Sequence, residues 1–456
     1  MTSTPDCRNG AGAGPNLVTT ADGLTQYAAW YTQRGSGLSV GKRTRSSSTW
    51  TVHALAGAEV TEMGLPVPND VDSVGHRFCS LGYDSSGYVH LFANMHNDGT
   101  ANTQKVRYLK TNSPGDITSW TAPTLPSEDV SCAYPQPVQM TNGDLYLFMR
   151  CGPNGAGSAV GNTLDWRIKN GETAWKDGAG TTTANGRLFW QGVLVANGGG
   201  PGVTGDGYGS DTTANWSAYC ALPFIEPAWS LHPSRVWMYG NRKVTQDGLG
   251  TADLLTVMYS DDHGVTWKAV DGSAVTLPVD FINNGTNAQT GLSAPSGNWA
   301  HSDISLMCVN PTTGWPLVIM PVTSGGNLYK LQYNGTSWSS PQETSTWWNQ
   351  VGTGRLATHA FYRKDKTLWF RFTSGNHPRK QYLVQDATTN LVMMSHELEP
   401  PGAAGWQMGD GNAPLHWISS YDPVAYRKLG ALEWLVPDDD IPKVYSFGSH
   451  ARMRGV

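Results

Sequence analysis

Five short runs of this chain share one plan. A turn residue is followed at once by a strand-length stretch dense in apolar and aromatic side chains: GYVHLFANM from Gly87, GDLYLFMRC from Gly143, SRVWMYGNR from Ser234, GWPLVIMPV from Gly314 and KTLWFRFTS from Lys366. A Ser or Thr followed by Trp recurs beside them, at Thr49-Trp50, Ser119-Trp120, Thr266-Trp267 and Ser337-Trp338. Gly87 to Trp120 and Ser234 to Trp267 each span 33 residues, and Gly314 to Trp338 spans 24, so the period is loose. Self-similarity at this scale marks a repeat architecture in which each unit is one small antiparallel sheet.

The rest of the chain agrees. No long stretch places apolar residues at helical spacing, and short alternating runs bounded by Gly, Asn, Asp and Ser fill the sequence, which reads as all-β. A length of 456 residues exceeds the usual single hydrophobic core, but large all-β propellers are exceptions to that limit. The cues divide the chain into seven units, near 24–56, 76–125, 133–192, 217–278, 300–342, 357–398 and 412–449. The expected fold is therefore a seven-bladed β-propeller of four-stranded antiparallel blades. It forms one domain over residues 23–456, after a flexible arm at 1–22. The Gly/Asn-rich stretch at 196–215 reads as a long loop between units.

Charge narrows the function. Only 15% of residues are charged, the net charge is −5 and no Lys/Arg run exists, so the electrostatic footprint of a nucleic-acid binder is missing. No apolar run approaches a membrane helix in length. The segment MTSTPDCRNGAGAGPN lacks a basic region followed by an apolar stretch, so no signal peptide is visible. An extracellular place of action is still expected, by another export route, on a virion or as a mature chain. The six cysteines (Cys7, Cys79, Cys132, Cys151, Cys220 and Cys308) contain no CxxC pair. They read as buried thiols, with one or two disulfides as the alternative.

SDDHGVTW, from Ser260 to Trp267, fits the S-x-D-x-G-x-T-W pattern of an Asp box. Asp262 is placed to accept backbone N–H groups, Gly264 supplies an unusual backbone angle, and Trp267 packs beneath. That is a folding role and not a catalytic one.

The chemistry-bearing residues lie elsewhere. His76 and His96 are 20 residues apart and bracket the start of the second unit; Tyr134 and Arg150 are 16 apart at the start of the third. Each pair encloses a strand, a turn and a returning strand, so its members can meet at the same end of one blade. This set suits proton abstraction beside a carboxylate. The guanidinium fork neutralises the carboxylate and acidifies the neighbouring carbon. A neutral His acts as base near pH 7, and Tyr donates a proton to a leaving oxygen or takes one itself. On a uronate polymer the outcome is β-elimination, which requires no metal or organic cofactor.

The segments GHR…MHN, PGDITSW, AYPQPV and GDLYLFMR, together with the Asp box, resemble the sialidase-related BNR/Asp-box propeller family that includes ulvan lyases and rhamnose–glucuronate lyases. The resemblance is strongest from 76 to 150. It implies that His76 or His96 is the base, Tyr134 the acid or second base, and Arg150 the carboxylate clamp. Tyr219 in SAYCALPF stands for a further family tyrosine, although the 196–215 insertion precedes it. The family's first His commonly sits in an Asp-His-Asn context, where this chain has Gly75-His76-Arg77. Some relatives hold a structural zinc with His and Cys; no such set assembles from this sequence, so no metal is expected. His301 is a further rim candidate for substrate binding, and Trp348, with Trp347 and Trp406, a sugar-stacking candidate. The expected partner is an anionic polysaccharide, with no nucleic acid and no membrane, and the expected state is a monomer.

Two other readings stand beside the lyase. One is a sialidase-like glycoside hydrolase. The sialidase Arg-Ile-Pro motif is absent, and a two-carboxylate hydrolase would draw on Asp72, Asp303 or Glu226. The other is a non-catalytic glycan-binding propeller, as in a viral tail or surface adhesin.

Overall fold

The turn residue that opens each of the five repeated runs has a positive φ: 90° at Gly87, 91° at Gly143, 71° at Ser234, 69° at Gly314 and 67° at Lys366. Glycine takes this conformation freely; Ser234 and Lys366 take it at a cost of roughly 1–2 kcal/mol each. The sequence repeat is thus a repeat of backbone geometry. This computed structural model describes residues 17–22, 24–32, 37–44, 46–47, 49–65, 79–93, 106–123, 125, 132–151, 162–177, 187–190, 216–220, 223–244, 251–277, 279–280, 299–300, 306–321, 328–343, 355–362, 366, 368–374, 380–385 and 392–397.

The described residues form six sheets, in chain order. The first is β1 (Leu17–Thr19), β2 (Thr25–Thr32), β3 (Gly37–Thr44) and β4 (Thr51–Ala54). A five-residue helix, α1 (Ala58–Glu62), leads onward; it is too short to leave a periodic signal in sequence. The second sheet is β5 (Cys79–Tyr83), β6 (Val89–Ala93), β7 (Arg107–Thr111) and β8 (Trp120–Thr121). The third contains β9 (Cys132–Gln139), β10 (Leu145–Cys151), β11 (Asn162–Ile168), β12 (Lys176–Asp177) and β13 (Arg187–Trp190). The fourth contains β14 (Trp216–Cys220), β15 (Phe224–Ile225), β16 (Val236–Val244), β17 (Thr251–Ser260), β18 (Trp267–Ala269) and β19 (Ala274–Val275). After β20 (Val279–Asp280) and β21 (Trp299–Ala300), the fifth is β22 (Leu306–Val309), β23 (Pro316–Pro321), β24 (Leu328–Gln332) and β25 (Gln342–Glu343). The sixth is β26 (Arg355–Tyr362), β27 (Leu368–Ser374), β28 (Lys380–Gln385) and β29 (Val392–Glu397).

Six of the seven expected units therefore correspond to sheets, and the seventh, at 412–449, lies outside the described residues. Two details differ from expectation. The first sheet begins at Leu17, inside the stretch assigned to an arm, because β1 pairs with β2. The third and fourth sheets have six and seven strands, not four. β20 pairs in parallel with β13 and covers the third sheet's outer edge, which would otherwise expose unpaired backbone groups. β21 pairs with the first residues of the long strand β17.

The sheets pack face to face, and alternate residues of one strand serve different interfaces. In β6, Val89, Leu91 and Ala93 pack with Leu38 and Val40 of the first sheet, whereas Phe92 packs with Leu145, Leu147 and Trp175 of the third. In β10, Tyr146 and Phe148 turn the other way and join Val236 and Met238 of the fourth. In β16, Trp237 and Tyr239 join Val318 and Leu331 of the fifth. Strands buried on both faces carry no polar alternation, which is why LYLFM and PLVIM read as unbroken apolar runs. Each fully buried side chain of this size contributes roughly 1.5–3 kcal/mol.

Candidate functional site

Each leading hairpin has a turn end and an open end. β5 and β6 turn at 84–88 and pair from Tyr83–Val89 out to Cys79–Ala93. β9 and β10 turn at 140–144 and pair from Gln139–Leu145 out to Cys132–Cys151. The backbones of Tyr134 and Arg150 therefore both lie near the open end of the third sheet's hairpin. His76 and His96 lie outside the described residues, three positions before β5 and three after β6.

The backbone at Tyr134 is irregular. The register passes from Gln136–Phe148 to Ala133–Arg150, so β9 carries one extra residue, at Tyr134-Pro135. A proline cannot donate to the ladder, and a bulge on an edge strand is where a sheet tolerates one. A neighbouring sheet holds this bulge: the buried Ser80 hydroxyl of β5 donates to the Pro135 carbonyl at 2.9 Å. β5 and β9 come close there, since a Cβ on Gly82 would stand 3.0 Å from the Pro137 Cβ. The open ends of the second and third sheets are thereby fixed to each other.

The same level recurs in later sheets. Aligning the runs on their left-handed turn residues matches Arg150 with Asn241, and Tyr219 is the register partner of Asn241. Tyr219 thus occupies the fourth sheet's counterpart of the Ala133 position. The first strand of the sixth sheet, β26, also bulges, between Ala357 and His359, opposite Phe372 and Arg371. First strands of successive sheets approach one another, β1 with β5, β5 with β9 and β22 with β26, as expected of sheets set around a shared axis.

The turn end has a different character: it is a belt of fixed contacts. Lys42 Nζ donates to the Gly115 carbonyl at 2.6 Å, and the Gly115 N–H to the Gly87 carbonyl at 2.8 Å. The Ser85 hydroxyl reaches Asn170 Oδ1 at 2.7 Å, Thr141 Oγ1 lies 3.2 Å from His263 Nε2, and the Leu231 N–H donates to Pro311 at 3.0 Å. These contacts join five sheets in sequence. The Asp box is part of the belt. Asp262 accepts the Thr266 N–H at 2.8 Å and hydroxyl at 2.6 Å, Ser260 Oγ accepts the Gly264 N–H at 2.7 Å, and Trp267 is buried in the core. Burial works against the Asp262 carboxylate, but the Thr266 bonds outweigh it and hold its pKa below the ordinary value. The Asp box lies beside the 141–143 turn, at the other end of the β9–β10 hairpin from Tyr134 and Arg150.

Glu226, a hydrolase candidate from sequence, also belongs to this end. It is buried, accepts the Trp237 indole N–H at 2.8 Å, and its own backbone bonds Arg235 and Ser234 at the start of β16. Burial pushes its pKa up, against the Trp237 bond. It is a packing carboxylate, while Asp72 and Asp303 lie outside the described residues.

The sequence reading passed over His90, at the centre of VHLFA. Its ring is fully buried, with Nε2 3.1 Å from Asp84 Oδ2 and Nδ1 2.8 Å from the Tyr108 hydroxyl. An ionised Asp84 only accepts, so Nε2 carries the proton and Nδ1 accepts from Tyr108. Burial pushes the His90 pKa below its ordinary value, against the pull of Asp84. Burial also opposes ionisation of Asp84, but bonds from His90 and the Tyr88 N–H hold its carboxyl below the usual range. The ring lies between the second and third sheets, stacked on Tyr108 and edge-on to Trp175. The alternation of buried faces is the signal that would have found it.

His301 and Trp348 lie outside the described residues, as do Trp347 and Trp406. Among the described residues no group of three or more His, Cys, Asp or Glu is arranged to hold a metal, and no helix is long and apolar enough to cross a membrane.

No curated protein matches the chain in sequence. A profile described as "BNR repeat-containing family member" matches residues 25–346. Among solved structures, a PL25 ulvan lyase bound to -[GlcA(1-4)Rha3S]- is similar with a TM-score of 0.56 and 12% identity, over 84% of this chain and 82% of that one. The polysaccharide lyase Uly1 is similar with a TM-score of 0.54 and 12% identity, over 87% and 83%. At this identity the likeness is one of fold.

Proposed function

The chain belongs to the BNR repeat-containing family, and we propose that it is a polysaccharide lyase that cleaves a uronic-acid-containing glycan, of ulvan or rhamnose–glucuronate type, by β-elimination. The observation that carries this reading is the Ser80–Pro135 hydrogen bond, which ties together the two hairpins whose open ends lead to His76 and His96 and bear Tyr134 and Arg150. The fold shared with two polysaccharide lyases supports the same class.

In this reading Arg150 pairs with the substrate carboxylate and stabilises the negative charge that develops as the carbon-5 proton leaves. His76 or His96 takes that proton. Tyr134 gives a proton to the departing 4-O oxygen, or shares the role of base, and an unsaturated uronate remains at the new end. Tyr219, His301 and Trp348 are the proposed substrate-binding residues. The ring closes as seven blades, with the seventh drawn from 412–449. The protein acts as a monomer and outside the cell, because a polymer of this kind does not cross a membrane.

The test is incubation with a panel of uronate polysaccharides while following the ultraviolet absorbance of new unsaturated uronate. A rise that is lost in Arg150→Ala supports the proposal. New reducing ends without that absorbance make the protein a hydrolase, and binding without either makes it an adhesin.

A further inference from the structure

We propose that Cys132 and Cys151 form a cross-strand disulfide that ties off the open end of the β9–β10 hairpin. The register sets Cys151 directly opposite Cys132, one pair beyond Arg150–Ala133. Directly opposed residues of an antiparallel pair have Cα atoms roughly 4.5–5.5 Å apart, inside the roughly 4.4–6.8 Å range that a disulfide spans. The register thus puts the two positions within the span of a disulfide. Other cysteines of the described strands stand opposite residues of other kinds. Cys79 faces Ala93, Cys308 faces Leu317, and Cys220 faces Gly240. Cys79 and Cys308 are also buried in the core at 1% and 0% exposure, where they serve as small apolar side chains. Among the described residues, Cys132 and Cys151 are the one pair of cysteines that a ladder brings into opposition.

The position gives the bond a consequence. The pair closes the ladder where the chain leaves it, and Tyr134 and Arg150 both lie within the loop that it encloses. Strand ends open more readily than strand centres, and a crosslink at the last pair removes that opening. The bulge at Tyr134-Pro135 is then held on one side by Ser80 and on the other by the bridge. Formation by exchange with a low-molecular-weight disulfide such as oxidised glutathione is balanced. One cysteine thiolate attacks the glutathione disulfide and releases one glutathione thiolate. The second cysteine thiolate then displaces the other, so two protein thiols are oxidised and one disulfide is reduced to two thiols.

The experiment uses the full chain, equilibrated with oxidised glutathione, denatured in iodoacetamide, digested and analysed by mass spectrometry. The expected result is a Cys132–Cys151 linked peptide pair that separates on reduction, with Cys79 and Cys308 alkylated. Separate alkylation of Cys132 and Cys151 in the oxidised sample, or linkage of either to Cys7 or Cys220, overturns the proposal. A second readout is the melting temperature. Oxidation raises it in the unaltered chain and leaves it unchanged in Cys132→Ser; an equal rise in both overturns the proposal. Neither readout depends on lyase activity.

Discussion

The buried Ser80 hydroxyl donates to the Pro135 carbonyl at 2.9 Å, across the boundary between two sheets and at the one bulge of the β9–β10 ladder. A carbonyl released from its ladder needs a donor, and Ser80 supplies it from the neighbouring strand. Ser80→Ala leaves that carbonyl unpaired, at a cost of about 1–3 kcal/mol. Urea unfolding with an unchanged m-value checks the figure. Glycan turnover falls as well, because the bulge carries Tyr134.

The left-handed turns make opposite predictions at two equivalent positions. Lys366 pays a steric cost that glycine does not, so Lys366→Gly is neutral or stabilising by up to about 1 kcal/mol after the unfolded chain's added entropy. Gly143→Ala destabilises by about 1–3 kcal/mol, since φ is 91° and the added Cβ would stand 2.9 Å from Asn170 Nδ2. Thermal unfolding of the two variants side by side measures both signs.

Asp262→Ala separates folding from function. It removes the Thr266 bonds of the Asp box and lowers stability by about 1–3 kcal/mol. Turnover per folded molecule is unchanged, because the box sits at the turn end. Activity normalised to the native fraction is the measurement.

His90 sets a pH dependence. Its folded pKa lies below the ordinary 6.5, so the unfolded chain binds protons more readily as pH falls. The associated stability is present above pH 6.5 and is lost as pH falls through the lower folded value. Asp84, depressed below 3.8, adds a loss of the same sign in more acidic solution. The melting temperature therefore falls on acidification from neutral pH, and His90→Gln flattens the first part of that fall.

The blade-like repeat was legible because its turns demand left-handed residues. The positions of Gly87, Gly143 and Gly314 announce them, and the apolar run after Ser234 and Lys366 carries the alignment where glycine is missing. That Tyr134 and Arg150 lie at the same end of one hairpin follows from counting residues across a turn; that Arg150 pairs with Ala133 and leaves Tyr134 in a bulge does not. The bulge was harder to read. Pro135 and Pro137 mark an edge strand, but only the register shows that the extra residue falls at Tyr134-Pro135. Ser80, Glu226 and His90 act through neighbours far away in sequence or on another strand, and a local pattern carries no sign of that. Strands beyond four per sheet were also hidden, because β12, β15, β19, β20 and β21 are each only two residues long.

The proposed reaction breaks the glycosidic bond by elimination, with His76 or His96 as the base. The mass of the oligosaccharides released from a rhamnose–glucuronate polymer tests it most directly, with His96→Ala alongside. Elimination predicts fragments lighter by one water than the hydrolysis products, and none from the folded variant. Fragments carrying the full mass of added water, or undiminished release by His96→Ala, would overturn the assignment as a lyase with a histidine base.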